Sequence, residues 1–185
     1  ADLGVLRWVP PLELSLSAVA CINPADQPIR RPDGGAIGTE VWAFGRLPLS
    51  FSARCFTARH VGVPKDQCGY PCMDDPDGRL VRSTEGQSFL VLNGTQIQSA
   101  GVHNLLEHGA ALASCGATRV RLSPQASGFT KVIEDFDAVL NGDQPAEERL
   151  AGWADAGVPQ PLVTGYAFGG AGMNAVLAEL ARVDA

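Results

Sequence analysis

No stretch of this sequence approaches the ~18 consecutive apolar residues that a membrane-spanning helix needs. The nearest, Leu14 to Ile22, is short and interrupted by serines, so no membrane span is expected. Basic clusters are missing too. Lys and Arg total 14 against 20 Asp and Glu, a formal net charge of −6. The pairs Arg54/Arg59 and Arg119/Arg121 are too few for a phosphate-tracking surface, and nucleic acid is not an expected partner. There are no internal repeats and no low-complexity tracts. No G-x-S-x-G elbow, H-E-x-x-H pair or Walker motif occurs. Gly169, Gly170 and Gly172 lack the preceding strand and the Lys-Ser/Thr ending of a phosphate loop. Cysteine is sparse and odd in number, with five in 185 residues. That fits badly with a fully paired secreted framework and favours a reducing, cytoplasmic setting.

What is present reads as a globular α/β chain. Hydrophobic residues make up 45% and charged residues 18%, a balance that supports a packed core. The pattern predicts a strand over Gly4 to Val9, a helix over Leu14 to Ile22 and a loop over Asn23 to Gly38. It predicts a strand over Thr39 to Phe44 ended by Gly45, and a short helix through Cys55. Strands over Leu80 to Ser83 and Phe89 to Leu92 follow. Val102, Leu105, Leu106 and Leu112 suggest a helix over Val102 to Ser114, closed by Gly116. A strand over Thr118 to Leu122 precedes a helix carrying Phe129, Val132, Ile133, Phe136, Val139 and Leu140. Glu147 to Asp155 and Ala175 to Val183 look helical, and Tyr166 to Gly172 is a glycine-rich loop. Alternation of strands and helices implies a parallel sheet with crossover helices. Residues 1–142 form the α/β part and 143–185 a helical C-terminal segment. Because Val5 to Val9 reads as a buried strand with nothing to cap it, the chain is expected to be a piece of a longer domain.

Thiols dominate the middle of the chain. Cys55, Cys68 and Cys72 fall within eighteen residues, with twelve and then three residues intervening. Gly69 and Pro71 bend the backbone between the last two. Thiolates spaced like this can converge on one soft metal or cluster, and an iron–sulfur ligand set is the leading expectation. Structural zinc, or three unrelated thiols, are the alternatives; His60 is a candidate substitute ligand. The surrounding insert, residues 46–78, is long and irregular enough to need something to hold it. Cys21 and Cys115 read as small core residues, and His103 and His108 as solvated residues of one helix. Asn93, Gln96, Arg121 and Gln125 follow predicted strands, where parallel folds place ligand contacts; ordinary turn chemistry explains them equally well.

The run Phe44-Gly-Arg-Leu-Pro-Leu-Ser-Phe-Ser-Ala-Arg-Cys-Phe-Thr-Ala-Arg59, then Pro64-Lys-Asp-Gln-Cys-Gly-Tyr-Pro-Cys72, closely resembles the UbiV family of the collagenase-like peptidase (PrtC-type) superfamily. Leu6-Arg-Trp-Val-Pro-Pro-Leu-Glu-Leu-Ser15, Phe89-Leu-Val-Leu-Asn-Gly-Thr-Gln96 and Val120-Arg-Leu-Ser-Pro-Gln125 agree in order, over about residues 4–142. Gly165-Tyr166 resembles the family's closing Gly-Tyr-Trp segment, with Ala167 in place of the tryptophan. The resemblance implies the C-terminal part of a (β/α) TIM-like barrel with an irregular cysteine-rich insert. It implies a 4Fe-4S cluster on four cysteines, three of them matching Cys55, Cys68 and Cys72. The fourth would lie in an N-terminal part not present here, unless Cys21, Cys115 or an external thiol takes its place. It also implies a UbiU-like partner subunit and oxygen-independent hydroxylation of a ubiquinone precursor. Peptidase activity is not expected, since no nucleophile–base pair supports it. An RNA-hydroxylation factor of the same superfamily and a non-catalytic zinc-stabilised binding module are the competing readings.

Overall fold

A computed structural model describes residues 4–175 of the chain. Apart from its first residue, the helix expected over Ala175 to Val183 lies outside them. The first strand, β1 (Arg7–Trp8), runs parallel to the start of β2 (Gly38–Phe51), with Arg7 opposite Gly38 and Trp8 opposite Thr39. Pro10 and Pro11 end the pairing by removing two donors. Ser15 then caps α1 (Leu16–Ile22), its Oγ accepting the Ala18 N–H at 3.2 Å. At the end of this helix the buried Asn23 clamps the following loop. Its Nδ2 donates to Ile37 O and Thr39 Oγ1, and its Oδ1 accepts the Ile29 N–H.

Gly45 does not end β2, as the sequence suggests. The strand continues to Phe51, with register shifts around Pro48 where the missing proline N–H breaks the ladder. The insert then carries α2 (Phe56–His60) and two 3₁₀ turns, Lys65–Gln67 and Pro71–Asp74. It returns through β3 (Arg79–Arg82), β4 (Ser88–Asn93) and β5 (Gln96–Asn104), which pair antiparallel in succession. Gly94 and Thr95 make the two-residue turn between β4 and β5, so Asn93 faces Gln96 across a hairpin.

The helix expected over Val102 to Ser114 is mostly a strand and a turn. Val102, His103 and Asn104 complete β5, a 3₁₀ turn covers Leu106–His108, and only α3 (Gly109–Ser114) is α-helical. The apolar spacing misleads because β5 is buried on both faces in its second half, which erases the alternation of a half-exposed strand. Its backbone is claimed elsewhere: Val102 N–H donates to Pro161 O and Leu105 N–H to Ala43 O.

Beyond α3, β6 (Ala117–Leu122) lies parallel to β2, with Val120 opposite Val41. The most periodic segment forms α4 (Phe129–Leu140), as expected. Next come α5 (Ala146–Leu150) and β7 (Leu162–Val163), which is parallel to β5. The seven strands of the described residues make one open sheet, ordered β1-β2-β5-β4-β3, with β6 also on β2 and β7 on β5. The fold is therefore α/β, but the sheet is mixed rather than parallel. Short links such as Gly94-Thr95 permit only antiparallel neighbours. Phe44, Phe136 and Trp153 meet edge-on or tilted at 5.4–6.4 Å between centroids. Val158 and Ala167 belong to the same core, so residues past 142 pack with those before it. No helix among the described residues is long and apolar enough to cross a membrane.

Candidate functional site

The cysteine insert hangs from the end of β2 and is fastened to the β4–β5 turn. Ser52 N–H donates to Thr95 O, Phe56 N–H to Gly94 O, and Gly94 N–H to Thr57 Oγ1. Cys55 caps α2, its Sγ accepting the Ala58 N–H at 3.4 Å. Cys68 closes the 3₁₀ turn Lys65–Gln67. Gly69 and Tyr70 follow in left-handed conformations, φ +61° and +59°, and reverse the chain. Pro71 then starts the turn that carries Cys72, and this turn packs against α2. All three thiols are free and half-buried. Arg54, Arg59 and Lys65 line a groove of about 430 Å³ beside Cys55, with no carboxylate among the described residues of its wall. On an acidic chain this is a local concentration of positive charge.

The insert fits a soft-metal centre by donor chemistry, since free thiols are its ligands of choice. It does not do so by convergence: among the described residues, no three His, Cys, Asp or Glu side chains are gathered to hold one ion. His60 is exposed in the last turn of α2. Cys115 is a core residue, as expected, its Sγ donating to Leu112 O at 3.2 Å, and burial pushes its thiol up. Cys21, expected in the core, is exposed instead. The two histidines depart from expectation in the other direction. His103 and His108 are both buried, because the segment that would have exposed them on a helix is an interior strand and a turn.

A second arrangement lies where β2 and β6 stop pairing. Gly45, Arg46, Pro76, Asp77, Asn93, Gln98, Ser123, Pro124, Gln125 and Pro159 line a polar cleft of about 50 Å³. Two of the four residues picked from strand ends, Asn93 and Gln125, meet here. A third, Gln96, touches it indirectly, its Oε1 accepting Gln98 Nε2–H at 2.7 Å. Arg121 does not line it. With Arg7, it holds the buried carboxylate of Glu40, linking β1, β2 and β6. Burial alone would push Glu40 up, but the hydrogen bonds and charges of Arg121 and Arg7 outweigh it and hold the carboxyl below its ordinary value.

No protein-family model matches the chain, and no solved structure matches it.

The cleft adds residues that the sequence did not single out. Arg46 Nη1 donates to Ser99 O and Ala100 O. Burial pulls the Arg46 guanidinium down from its ordinary value, and the charge of Asp77 opposes this. Asp77 Oδ1 accepts the Ala126 N–H at 2.7 Å, tying the end of the insert to the loop after β6. The Pro76-Asp77-Gly78 turn was the only local signal available. Arg46 carried none, since its partners lie about fifty residues away on β5.

Proposed function

We propose that this chain is an iron–sulfur protein which, with a UbiU-like partner subunit, serves oxygen-independent ring hydroxylation of a ubiquinone precursor. The observation that carries the reading is a single insert presenting three free, half-buried thiols at Cys55, Cys68 and Cys72. The resemblance of their flanking residues supplies the chemistry. In this reading the open sheet is the C-terminal part of a β/α barrel, and a fourth ligand comes from outside the residues present. A bound cluster would supply one-electron transfer. The chain's own residues have definable tasks. Cys55, fixed at the start of α2, presents its sulfur at a set position. The reversal at Gly69 and Tyr70 folds the chain back on itself between Cys68 and Cys72. Arg54, Arg59 and Lys65 place positive charge beside a centre whose thiolates would be negative.

Anaerobic reconstitution with iron and sulfide tests this directly. A broad visible absorption band, lost in Cys68→Ala together with anaerobic ubiquinone formation in cells, is the expected result. Stoichiometric zinc with no visible band would move the insert to a structural role. Normal quinone levels in cells carrying Cys68→Ala would refute the pathway assignment.

A further inference from the structure

We infer that the cleft between Arg46 and Asp77 is a binding site for a neutral ligand edge carrying vicinal hydroxyls. The argument is an inventory of donors and acceptors. Asn93 Nδ2 gives one N–H to Pro76 O and Gln125 Nε2 gives one to Ser127 O, and each keeps a second. Because both partners are carbonyl oxygens, neither amide can be turned around without setting oxygen against oxygen. Gln98 Nε2 gives one N–H to Gln96 Oε1. The side-chain oxygens of Asn93, Gln98 and Gln125 are thus left as acceptors, and so is the second oxygen of Asp77, whose first takes the Ala126 N–H. Against these stand the second amide hydrogens, the Ser123 hydroxyl and one charged donor. Arg46 uses only Nη1; its Nη2 and Nε make no hydrogen bond among the described residues. It also makes no ion pair among the described residues, unlike Arg7, Arg31, Arg79, Arg121 and Arg149.

That inventory selects the ligand. A carboxylate or phosphate brings acceptors only and would face several acceptor oxygens plus the charge of Asp77. A cation would satisfy those oxygens but meet the half-desolvated Arg46. A hydroxyl both donates and accepts, so one group can give its proton to Asp77 and take a hydrogen bond from the guanidinium. Two adjacent hydroxyls would also use the amide oxygens. About 50 Å³ exceeds the ~10–15 Å³ that one water occupies, yet admits only the edge of a larger molecule. Pro76, Pro124 and Pro159 wall the cleft with rigid apolar rings, suited to a flat sugar or arene face. A polyol and a dihydroxylated ring share this chemistry. The cleft is built without the three thiols of the insert, so the site does not depend on what they bind.

Titration of the metal-free chain, with chelator present, by myo-inositol, catechol, benzoate and methylammonium tests the inference, read by NMR shifts at the Gln98 and Gln125 side-chain amides. Saturable binding of myo-inositol or catechol is expected, and the tighter of the two names the source. Asp77→Asn keeps an oxygen for the Ala126 N–H and should weaken that binding about tenfold. Gln125→Ala, at a half-buried loop position, should weaken it severalfold with the fold intact. Tighter binding of benzoate or methylammonium than of either diol would overturn the site. So would the absence of saturable diol binding, or an affinity unchanged in Asp77→Asn.

Discussion

Trp153 Nε1–H donates to Asp135 Oδ2 at 2.7 Å, in a part of the core where neither residue meets water. The same carboxylate takes Lys131 Nζ at 2.9 Å and Arg149 Nη1 at 3.3 Å. One side chain of α4 thus ties together its own helix, α5 and the segment that follows. A buried carboxylate so surrounded contributes little net stability, whereas stranding its partners is expensive. Asp135→Ala should cost about 3–5 kcal/mol. Asp135→Asn keeps an acceptor for the indole and loses only the charge, so it should cost less. Urea denaturation of both variants checks the order, and equal losses would contradict it.

Glu40 gives the fold an acid-sensitive joint. Its carboxyl sits below the ordinary value of 4.5 because Arg121 and Arg7 overcome the effect of burial. A carboxyl lowered on folding contributes stability that is present above its unfolded value and lost as pH falls through the folded one. The advantage of the natural chain over Glu40→Gln should therefore be full above about pH 4.5 and shrink below it. Melting temperatures of the two proteins across pH 3–6 measure this. A gap that widens on acidification would be inconsistent with the ion pairs.

Local signals carried the fold where one residue's chemistry decides. The apolar stripe of Phe129 to Leu140 announced α4, and the Pro, Asp and Gly of Asn23 to Gly38 announced the loop that Asn23 clamps. The sequence misled where distant residues decide. Nothing near Val102 tells that Pro161 takes its N–H and Ala43 that of Leu105, so a two-sided buried strand passed for a helix. His103 and His108 were misplaced with it. The candidate cleft was half legible. Asn93 and Gln125 could be picked as residues past strand ends, but Arg46 and Asp77 acquire meaning only when the insert folds back onto β2 and β6.

Gly45 stands in the wall of that cleft. It adopts φ +117°, and a Cβ built there would stand 2.4 Å from the Cβ of Ser123. Gly45→Ala combines an unfavourable backbone with a direct overlap and should cost about 2–4 kcal/mol. Adding Ser123→Gly removes the overlap but not the backbone cost, so the double variant should recover only part of the loss. Full recovery would show that conformation at position 45 contributes nothing.

His103 sets the second pH window. Burial lowers its pKa to about 4; a backbone contact with Trp42 opposes the shift and the nearby His108 adds to it. Its Nδ1 finds no hydrogen-bond partner among the described residues, so a proton added there gains no hydrogen bond. The unfolded chain takes that proton near pH 6.5, before the folded one does. Stability from this group is therefore complete above 6.5 and lost progressively toward pH 4, by about 3 kcal/mol in all. His108 is lowered by burial too and acts in the same direction. His103→Gln should flatten most of the stability loss between pH 6.5 and 4 while leaving the Glu40 effect below it. Denaturation midpoints at half-unit steps across the range separate the two groups. An unchanged slope in His103→Gln would mean that the imidazole gains its proton without opening the core.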